Sequence, residues 1–494
     1  MRLHTKNYQD FQILDVDKVI HSFSGAKLAG KALPGDTVAA TEEGCSLVSR
    51  RIHPPIAGLL ELTSKTRYGF TAKNCPIYRF TPFNEAYPPF IVGCSEKDTS
   101  QNRLALIKFD SWTDTLPRGA LQKFLASEEE ALSWTYTPLA CEKYKGPIPA
   151  EPDISGRRSL SAFHIDPVGC RDVDDVLTIE EVAGRVVVTI TISDVAAHIP
   201  KGCALDLRAA EICQTFYQDG VARPVFPAEL SEGRMSLLPG EFKAGVSLRF
   251  SLDDPEKVQW FESRVQTVAT YTYESVYRNE PLCEQLRLMA AALGEPTDDS
   301  HEWIEVAMKF YNTEAAKLLR KYGTGLLRCH TEPKGVEALL SNPATRFLAF
   351  SAAEYVAANH PAPYHYGLNT EFYTHATSPI RRYADLINQR SLKAILAGAT
   401  PPPLEPVGHL NHVSKQAKRH DRDLVFMKAI REGPKAVEGI VIELGERVSI
   451  YVPEWQTRVK LALTDVIEGQ TVMLKYYADM TARNWKKRMV LTRC

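Results

Sequence analysis

The sequence has no CxxC pair, no long apolar run and almost no net charge. Its ten cysteines are scattered, which indicates reduced thiols and leaves no zinc site of the CxxC type. No apolar run reaches the about 20 residues of a membrane-spanning helix, so we expect no membrane contact. The formal net charge of −1 argues against indiscriminate nucleic-acid binding. The first eighteen residues already contain three aspartates, which is unlike a targeting peptide, so we expect a cytoplasmic location.

The overall composition is that of a globular protein with several domains. Hydrophobic residues make up 44% of the 494 residues and charged residues 24%. A chain of this length is expected to form two to four domains with a substantial core.

The most informative stretch is SAFHIDPVGCRDVDDV at 161–176. Pro167 and Gly169 disfavour a regular helix, so this stretch is predicted to be an irregular loop. The β-branched run at 185–192 predicts a buried strand just after it. A loop can turn several carboxylates towards one point, and this one carries four: Asp166, Asp172, Asp174 and Asp175.

Electrostatics indicates what the acidic loop requires. Two carboxylates about 4 Å apart repel by roughly 4 kcal/mol at an effective dielectric near 20, so a convergent cluster needs cations. Oxygen ligands favour Mg²⁺ or Mn²⁺, although His164 and Cys170 leave a mixed site open. A solvated surface loop and a structural calcium loop remain as alternatives.

A second stretch, YTHATSPIRRYAD at 373–385, predicts a polar turn that enters a docked helix, with Pro379 in its first turn. Arg381 and Arg382 would lie near the N-terminus of this helix. Cations are normally disfavoured there and anions favoured, so the pair indicates an anion such as phosphate between them. A salt bridge to Asp385 is the alternative.

Together the two stretches resemble the RNase II/RNase R family, the RNB-domain 3′→5′ exoribonucleases. IDPVGCRDVDD matches the family's acidic motif, YTHATSPIRRYAD matches its arginine motif, and the likeness covers roughly 155–432. The motif wording is most similar to that of the catalytic subunit of the eukaryotic exosome. Nothing in this sequence resembles the nuclease region that precedes the barrels of that subunit.

The resemblance implies an α+β multidomain fold, with one or more cold-shock-type OB barrels, a central mixed α/β RNB catalytic domain and an S1-type OB barrel. We predict a partial or degenerate OB-like segment at 1–55 and a cold-shock-type OB fold at 56–150. The RNB domain is predicted at 155–432 and the S1-type OB fold at 433–494. Six aromatics of the N-terminal part could stack on bases, and we expect at least half in the core instead: Tyr68, Phe70, Tyr78, Phe80, Phe83 and Tyr87.

The resemblance also implies an activity. It is the processive 3′→5′ hydrolysis of single-stranded RNA to 5′-nucleoside monophosphates, with Mg²⁺ (or Mn²⁺) held by the four aspartates and Arg381 stabilising the transition state. Further RNA contacts are implied for Tyr217, Glu305, Ser378, Arg382, Tyr383 and Asp421. Tyr217 would stack on the RNA 3′ end, with a buried structural tyrosine as its alternative. Glu305 would orient the 3′ nucleotide or simply form a cap or salt bridge.

Other functions stay open at this point. The chain could be a catalytically silent RNA-binding subunit of an RNA-decay assembly, although intact aspartates favour an enzyme. A DNA-directed nuclease would use the same metal chemistry. We expect the protein to act as a monomer, with association with an RNA-decay complex or a helicase left open. The connection at 328–347 is shorter than in the family, which leaves processivity and product length open.

Overall fold

The computed structural model describes residues 1–15, 18–218, 221–332, 348, 352–479, 482 and 488–494. The chain divides into two compact units. The described residues of the first unit lie in 1–142 and 415–494, and those of the second in 143–332, 348 and 352–414. The predicted connection at 328–347 lies largely outside the described residues.

The N-terminal part of the first unit contains two small β structures. Strands β1–β5 form an open sheet in the order β3-β2-β1-β4-β5, and β6–β10 close into a barrel in which β8 lies parallel to β10. Their bounds are Arg2–Thr5, Asp10–Asp15, Lys18–Ser24, Thr37–Ala40, Cys45–Ser49, Ile56–Leu60, Ile77–Pro82, Phe90–Gly93, Arg103–Ser111 and Arg118–Phe124. The two structures share one hydrophobic core.

Most of the six aromatics of this region are core residues. Tyr78 and Phe80 are buried, and Phe83 and Tyr87 pack against hydrophobic clusters. Tyr68 and Phe70 are exposed, so these two are the aromatics that remain available for stacking.

The C-terminal part of the first unit is a five-stranded sheet, preceded by a long helix that spans Gly408–Glu432. The strands are β20–β24, in the order β22-β21-β20-β23-β24. They span Ala436–Glu443, Val448–Val452, Thr457–Leu461, Thr471–Ala478 and Met489–Arg493. The short helices Glu128–Tyr136 and Pro138–Cys141 also belong to this unit.

The second unit is built on a closed barrel in the order β11-β12-β13-β16-β17, with β11 parallel to β17. The strands span Arg158–Ile165, Asp175–Val182, Arg185–Ser193, Lys243–Ser251 and Asp254–Tyr271. The predicted strand at 185–192 is therefore confirmed as β13, whose last seven residues are all buried. A buried strand gives the loop that precedes β12 a rigid support.

Helices and two short strand pairs complete this unit around its largest hydrophobic core. The helices are Val195–His198, Ala204–Ile212, Glu280–Ala292, Ser300–Tyr322 and Tyr383–Leu396. The strand pairs are β14 with β15, at Phe216–Gln218 and Val221–Arg223, and β18 with β19, at Leu326–Cys329 and Glu354–Ala357. Short helical turns lie at Ala26–Ala29, Glu229–Arg234, Val276–Arg278, Tyr366–Leu368 and Pro453–Trp455.

The predicted α+β multidomain class is confirmed, with one correction to a helix boundary. The helix of the arginine stretch begins at Tyr383, so Pro379 lies before it and not in its first turn. The four domain boundaries stay predictions. The helix Gly408–Glu432 belongs to both units, since its first seven residues, up to Ser414, are in the second unit and the rest are in the first. Among the described residues, no helix is both long and apolar enough to span a bilayer.

We predict that the barrel core of the second unit sets its stability. Leu248 on β16 is 0% exposed, and Leu248→Ala should lower the free energy of unfolding by about 2–5 kcal/mol, because it removes buried methyl groups and leaves a cavity. Val268→Ala on β17, 65% exposed, is the matched control and should change it by about 0.5 kcal/mol or less. Urea unfolding followed by circular dichroism measures both. Equal losses would contradict the prediction.

Candidate active site

The acidic loop occupies 166–174, between the ends of β11 and β12. Asp166 directly follows β11, and its N–H donates to the Tyr271 carbonyl at 3.1 Å. Asp175 is the first residue of β12 and pairs with Ile192 of β13. Gly169 has a φ of 81°, and the Cys170 N–H donates to the Pro167 carbonyl at 3.1 Å. The predicted irregular loop is thus anchored by barrel strands at both ends.

Asp174 is the most tightly held of the four carboxylates. It is 2% exposed. One carboxylate oxygen accepts the Ile380 N–H at 2.9 Å, and the other accepts Nε–H of Arg381 at 3.0 Å. The two stretches singled out in the sequence therefore meet directly, across more than 200 residues of chain.

The two neighbouring arginines have different partners. Arg381 binds Asp174 through Nε, and its side chain stays 45% exposed. Arg382 donates through Nε and a terminal nitrogen to both oxygens of Asp385, at 2.8 and 2.9 Å. Asp385 also accepts the Ser378 N–H at 2.8 Å. The salt bridge to Asp385 thus describes Arg382, whereas Arg381 faces the acidic loop.

Tyr217 lies beside the acidic loop with its ring accessible. Its side chain is 51% exposed, and its hydroxyl donates to Asp172 at 3.3 Å. This exposure is the opposite of the buried structural tyrosine that the sequence left open. An accessible aromatic face next to carboxylates is suited to stacking on a base.

The loop raises the pKa of its inner carboxyls. Burial raises the pKa of Asp174 to about 8, although Arg381 and the Ile380 N–H oppose this rise. Burial and then repulsion by Asp166 raise the pKa of Asp175 to about 7. Of the residues that the structure describes, none donates a hydrogen bond to the Asp175 carboxylate. A carboxyl in this state gains most from a cation nearby.

The donor chemistry fits a hard divalent cation. Four carboxylates from one loop supply oxygen ligands, which Mg²⁺ and Mn²⁺ prefer. The nitrogen and sulfur donors nearby are less suited to a metal. His164 Nδ1 lies 2.8 Å from Asp166. Burial raises the pKa of the Cys170 thiol to about 12, which disfavours the thiolate that zinc binds. Within the described part of the chain, no three His, Cys, Asp or Glu side chains are arranged as ligands of one ion.

The other predicted RNA contacts fall into three places. Glu305, Ser378 and Arg382 line one groove of about 310 Å³, together with Asn312 and Thr377. Glu305 forms a salt bridge with Lys309 at 2.8 Å, which is one of the alternatives the sequence left open for it.

Tyr383 and Asp421 are placed differently from the other predicted contacts. Tyr383 is 6% exposed and its hydroxyl donates to Asp206 at 2.9 Å, so its placement assigns it to helix packing and does not support the predicted RNA contact. Asp421 belongs to the first unit, where its carboxylate lies 3.3 Å from His420.

The structure adds two residues that the sequence reasoning missed. The Ser236 hydroxyl is fully buried, donates to the Arg171 carbonyl at 2.8 Å and accepts the Val173 N–H at 2.9 Å. It thereby fixes the peptides on either side of Asp172. Tyr273 is close enough to Asp166 and Asp175 for their charges to raise its pKa, after burial, to about 12. Neither residue carries a pattern in its own sequence context that could have revealed this.

Comparison with known proteins identifies an RNB domain in the chain. A family model described as the RNB domain matches residues 157–280 and 332–398. Exoribonuclease 2 of Salmonella arizonae is 27% identical in an alignment of 334 positions that covers 49% of this chain and 51% of that protein. The chain thus matches about half the length of these curated relatives.

Solved structures show the same fold over almost the whole chain. RNase R of Mycoplasma genitalium, in complex with ribose-methylated single-stranded RNA, matches with a TM-score of 0.70 at 15% identity, over 98% of both chains. Yeast Ssd1, described as a pseudonuclease, matches with a TM-score of 0.62 at 17% identity, over 96% of this chain and 81% of Ssd1.

The fold and the acidic loop with its arginine turn define an RNB-type protein, in which OB-like sheets flank an RNB domain along the chain. The RNB domain and the likeness to Exoribonuclease 2 make the chain similar to proteins of the RNase II/RNase R family.

We predict that Ser236 holds the acidic loop in its active shape. Ser236→Ala leaves a buried N–H of Val173 without its acceptor, which should cost about 1–3 kcal/mol of stability and slow RNA cleavage about tenfold or more. Ser247→Ala is the control, because this buried serine bonds to Thr191 and Ser263 inside the same barrel. It should lose similar stability and keep its activity. Cleavage rates and melting curves of both variants decide, and equal activity losses would contradict the assignment.

We predict that the metal-free protein loses stability as pH rises. Asp174 and Asp175 have raised pKa values in the folded state, so their contribution is fully present below about pH 4 and is lost as pH passes through about 7 to 8. Since Mg²⁺ competes with those protons, it should raise the melting temperature more at pH 8.5 than at pH 6. In Asp175→Asn the difference between the two pH values should shrink. A Mg²⁺ effect that is the same at both pH values would contradict the prediction.

Proposed function

We propose that this chain is a metal-dependent 3′→5′ exoribonuclease that hydrolyses single-stranded RNA processively to 5′-nucleoside monophosphates. The observation that carries the proposal is the contact of Asp174 with Ile380 and Arg381. It brings a phosphate-binding group against a loop whose carboxylates suit a divalent cation. The RNB domain and the likeness to Exoribonuclease 2 support the same reaction class.

Each residue of the site has a role in this proposal. Asp166, Asp172, Asp174 and Asp175 would hold Mg²⁺ or Mn²⁺, which when bound supplies an activated water and neutralises charge on the phosphate. Arg381 uses Nε for Asp174, so its two terminal amino groups are left to donate to a phosphate oxygen. These donors would stabilise the charge that develops on the phosphate in the transition state.

Tyr217 would hold the RNA 3′ end. Its half-exposed ring offers a stacking surface, and its bond to Asp172 sets that surface at the acidic loop. Stacking would place the last phosphodiester beside the carboxylates and Arg381, so that only the terminal bond is presented. Glu305, Ser378 and Arg382 line the groove that would receive the preceding part of the strand. A preference for RNA over DNA would require contacts from the protein to the ribose 2′-OH.

A second candidate function is an RNA-binding protein without catalysis, including a subunit of an RNA-decay assembly. The fold likeness to yeast Ssd1, described as a pseudonuclease, favours it. Against it stands the intact acidic loop, because a binding protein gains nothing from buried carboxyls that repel one another. Sizing of the purified protein, alone and from cell extract, separates a monomeric enzyme from a tethered subunit.

We predict that a 5′-labelled single-stranded RNA is shortened from its 3′ end in Mg²⁺, and that a DNA of equal sequence is spared. Asp174→Asn should lower the cleavage rate about 100-fold or more, because it weakens both the cation site and the bond to Arg381. Asp153→Asn, an exposed aspartate of the same unit, is the matched control and should cleave like the wild type. Gel electrophoresis of the labelled products gives the rates.

Two outcomes would overturn the proposal. Tight RNA binding without shortening in Mg²⁺ or Mn²⁺ would make the protein a binding protein on a nuclease fold. Equal rates for the wild type and Asp174→Asn would place the chemistry elsewhere.

A further inference from the structure

The chain makes a strained turn at Cys213, directly after the helix Ala204–Ile212. Cys213 has φ 64° and ψ −39°, and the Gln214 N–H donates to the Ile212 carbonyl at 2.8 Å. This is the γ-turn with positive φ, a rare and strained form for a residue with a side chain. Such conformations persist only where surrounding contacts impose them.

The surrounding contacts are present at Cys213. Its side chain is 4% exposed, and its thiol donates to the Ala210 carbonyl at 3.1 Å. Its N–H donates to the Ala209 carbonyl at 2.8 Å. The turn therefore closes the C-terminus of the helix and sets the direction in which the chain leaves it.

The segment that leaves the turn, Cys213–Tyr217, which we call the strap, pairs with the arginine turn through main-chain groups. The Thr215 N–H donates to the Arg381 carbonyl at 2.9 Å, and the Tyr383 N–H donates to the Cys213 carbonyl at 2.7 Å. Gln214 and Arg382 form an antiparallel bridge between these two bonds. The strap thus holds the backbone of Arg381 through its carbonyl, while the Arg381 side chain binds Asp174.

The strap also ends in the second group that contacts the acidic loop. Its last residue, Tyr217, donates to Asp172, while the arginine that the strap holds donates to Asp174. Five consecutive residues therefore link the stacking tyrosine to the arginine by main-chain bonds alone.

We propose that the strap is a positioning element that fixes Tyr217 and Arg381 as one unit over the acidic loop, with its register set by the γ-turn at Cys213. In extended chain a slip of one residue turns every side chain to the opposite face. A strap shifted by one residue would turn Tyr217 away from Asp172 and would remove the Thr215 bond from Arg381. The RNA consequences rest on the proposed function.

The register of the strap depends on the backbone conformation of residue 213 and not on its thiol. Glycine adopts positive φ freely, whereas a β-branched residue resists it. Cys213→Gly should therefore preserve the strap, and Cys213→Val should displace it. Tyr217→Ala gives the effect of losing the stacking ring alone.

The test compares these variants in two measurements. The first is binding of a labelled five-nucleotide single-stranded RNA without metal, and the second is the cleavage rate in Mg²⁺. Cys213→Val should bind about tenfold more weakly, like Tyr217→Ala, and should also cleave at least about tenfold more slowly. Cys213→Gly should stay within about threefold of the wild type in both measurements.

Melting curves show whether each variant is folded at the assay temperature, so that a loss of binding or cleavage is not mistaken for unfolding. If Cys213→Val melts below the assay temperature, Thr215→Pro takes its place, because proline removes the N–H that the strap donates to the Arg381 carbonyl. A folded Cys213→Val that binds and cleaves like the wild type would overturn the proposal. Equal losses in Cys213→Gly and Cys213→Val would do the same, since they would assign the effect to the thiol. A wild type that never cleaves would overturn the proposed function, while the binding measurement would still decide on the strap.

Discussion

Repulsion between carboxylates in one short loop is the constraint on which the second unit depends. Four aspartates lie within ten residues, and two of them have a pKa raised by burial. Each of three carboxylates is held by a different group: Asp174 by Ile380 and Arg381, Asp172 by Tyr217, and Asp166 by His164. The loop is stable because distant parts of the chain bring donors to it.

Those donors are set by rigid, buried supports. The Ser193 N–H donates to the Asp174 carbonyl at 2.8 Å, and its hydroxyl donates to the Met235 carbonyl at 2.6 Å. Ser236, the next residue along, bonds to the loop on both sides of Asp172. Side chains that are locked by buried hydrogen bonds hold a site more precisely than side chains on a free loop. The barrel that supports them is closed, so it has no unpaired edge strand that could deform.

The sequence predicted the parts of this arrangement that local patterns encode. The acidic loop, the buried strand after it and the multidomain α+β class follow from composition, periodicity and motif likeness, and the structure shows them. The helix start at Tyr383 was missed, because a hydrogen-bonded turn precedes the helix, in which the N–H groups of Arg381 and Arg382 donate to the Ser378 carbonyl. The sequence predicted a docked helix, but it did not predict the bond from Tyr383 to Asp206, which lies 177 residues away. Side-chain bonds between residues so far apart produce no pattern in the sequence, so they could not be predicted from it.

The comparisons show why the fold alone does not decide between enzyme and binding protein. RNase R of Mycoplasma genitalium and yeast Ssd1, a pseudonuclease, match this chain with TM-scores of 0.70 and 0.62 at 15% and 17% identity. The same fold therefore occurs in a protein named RNase R and in a pseudonuclease, so individual side chains must decide whether this chain is an enzyme.

Asp175 is the side chain that separates the two functions most sharply. Asp174 accepts two N–H donors, although burial still raises its pKa to about 8. Asp175 receives no hydrogen bond from the described residues, and burial with repulsion by Asp166 raises its pKa to about 7. A carboxyl kept under these conditions costs stability at neutral pH unless a cation compensates it. Its presence beside Asp166 therefore supports the proposed divalent-cation site more than it supports RNA binding alone.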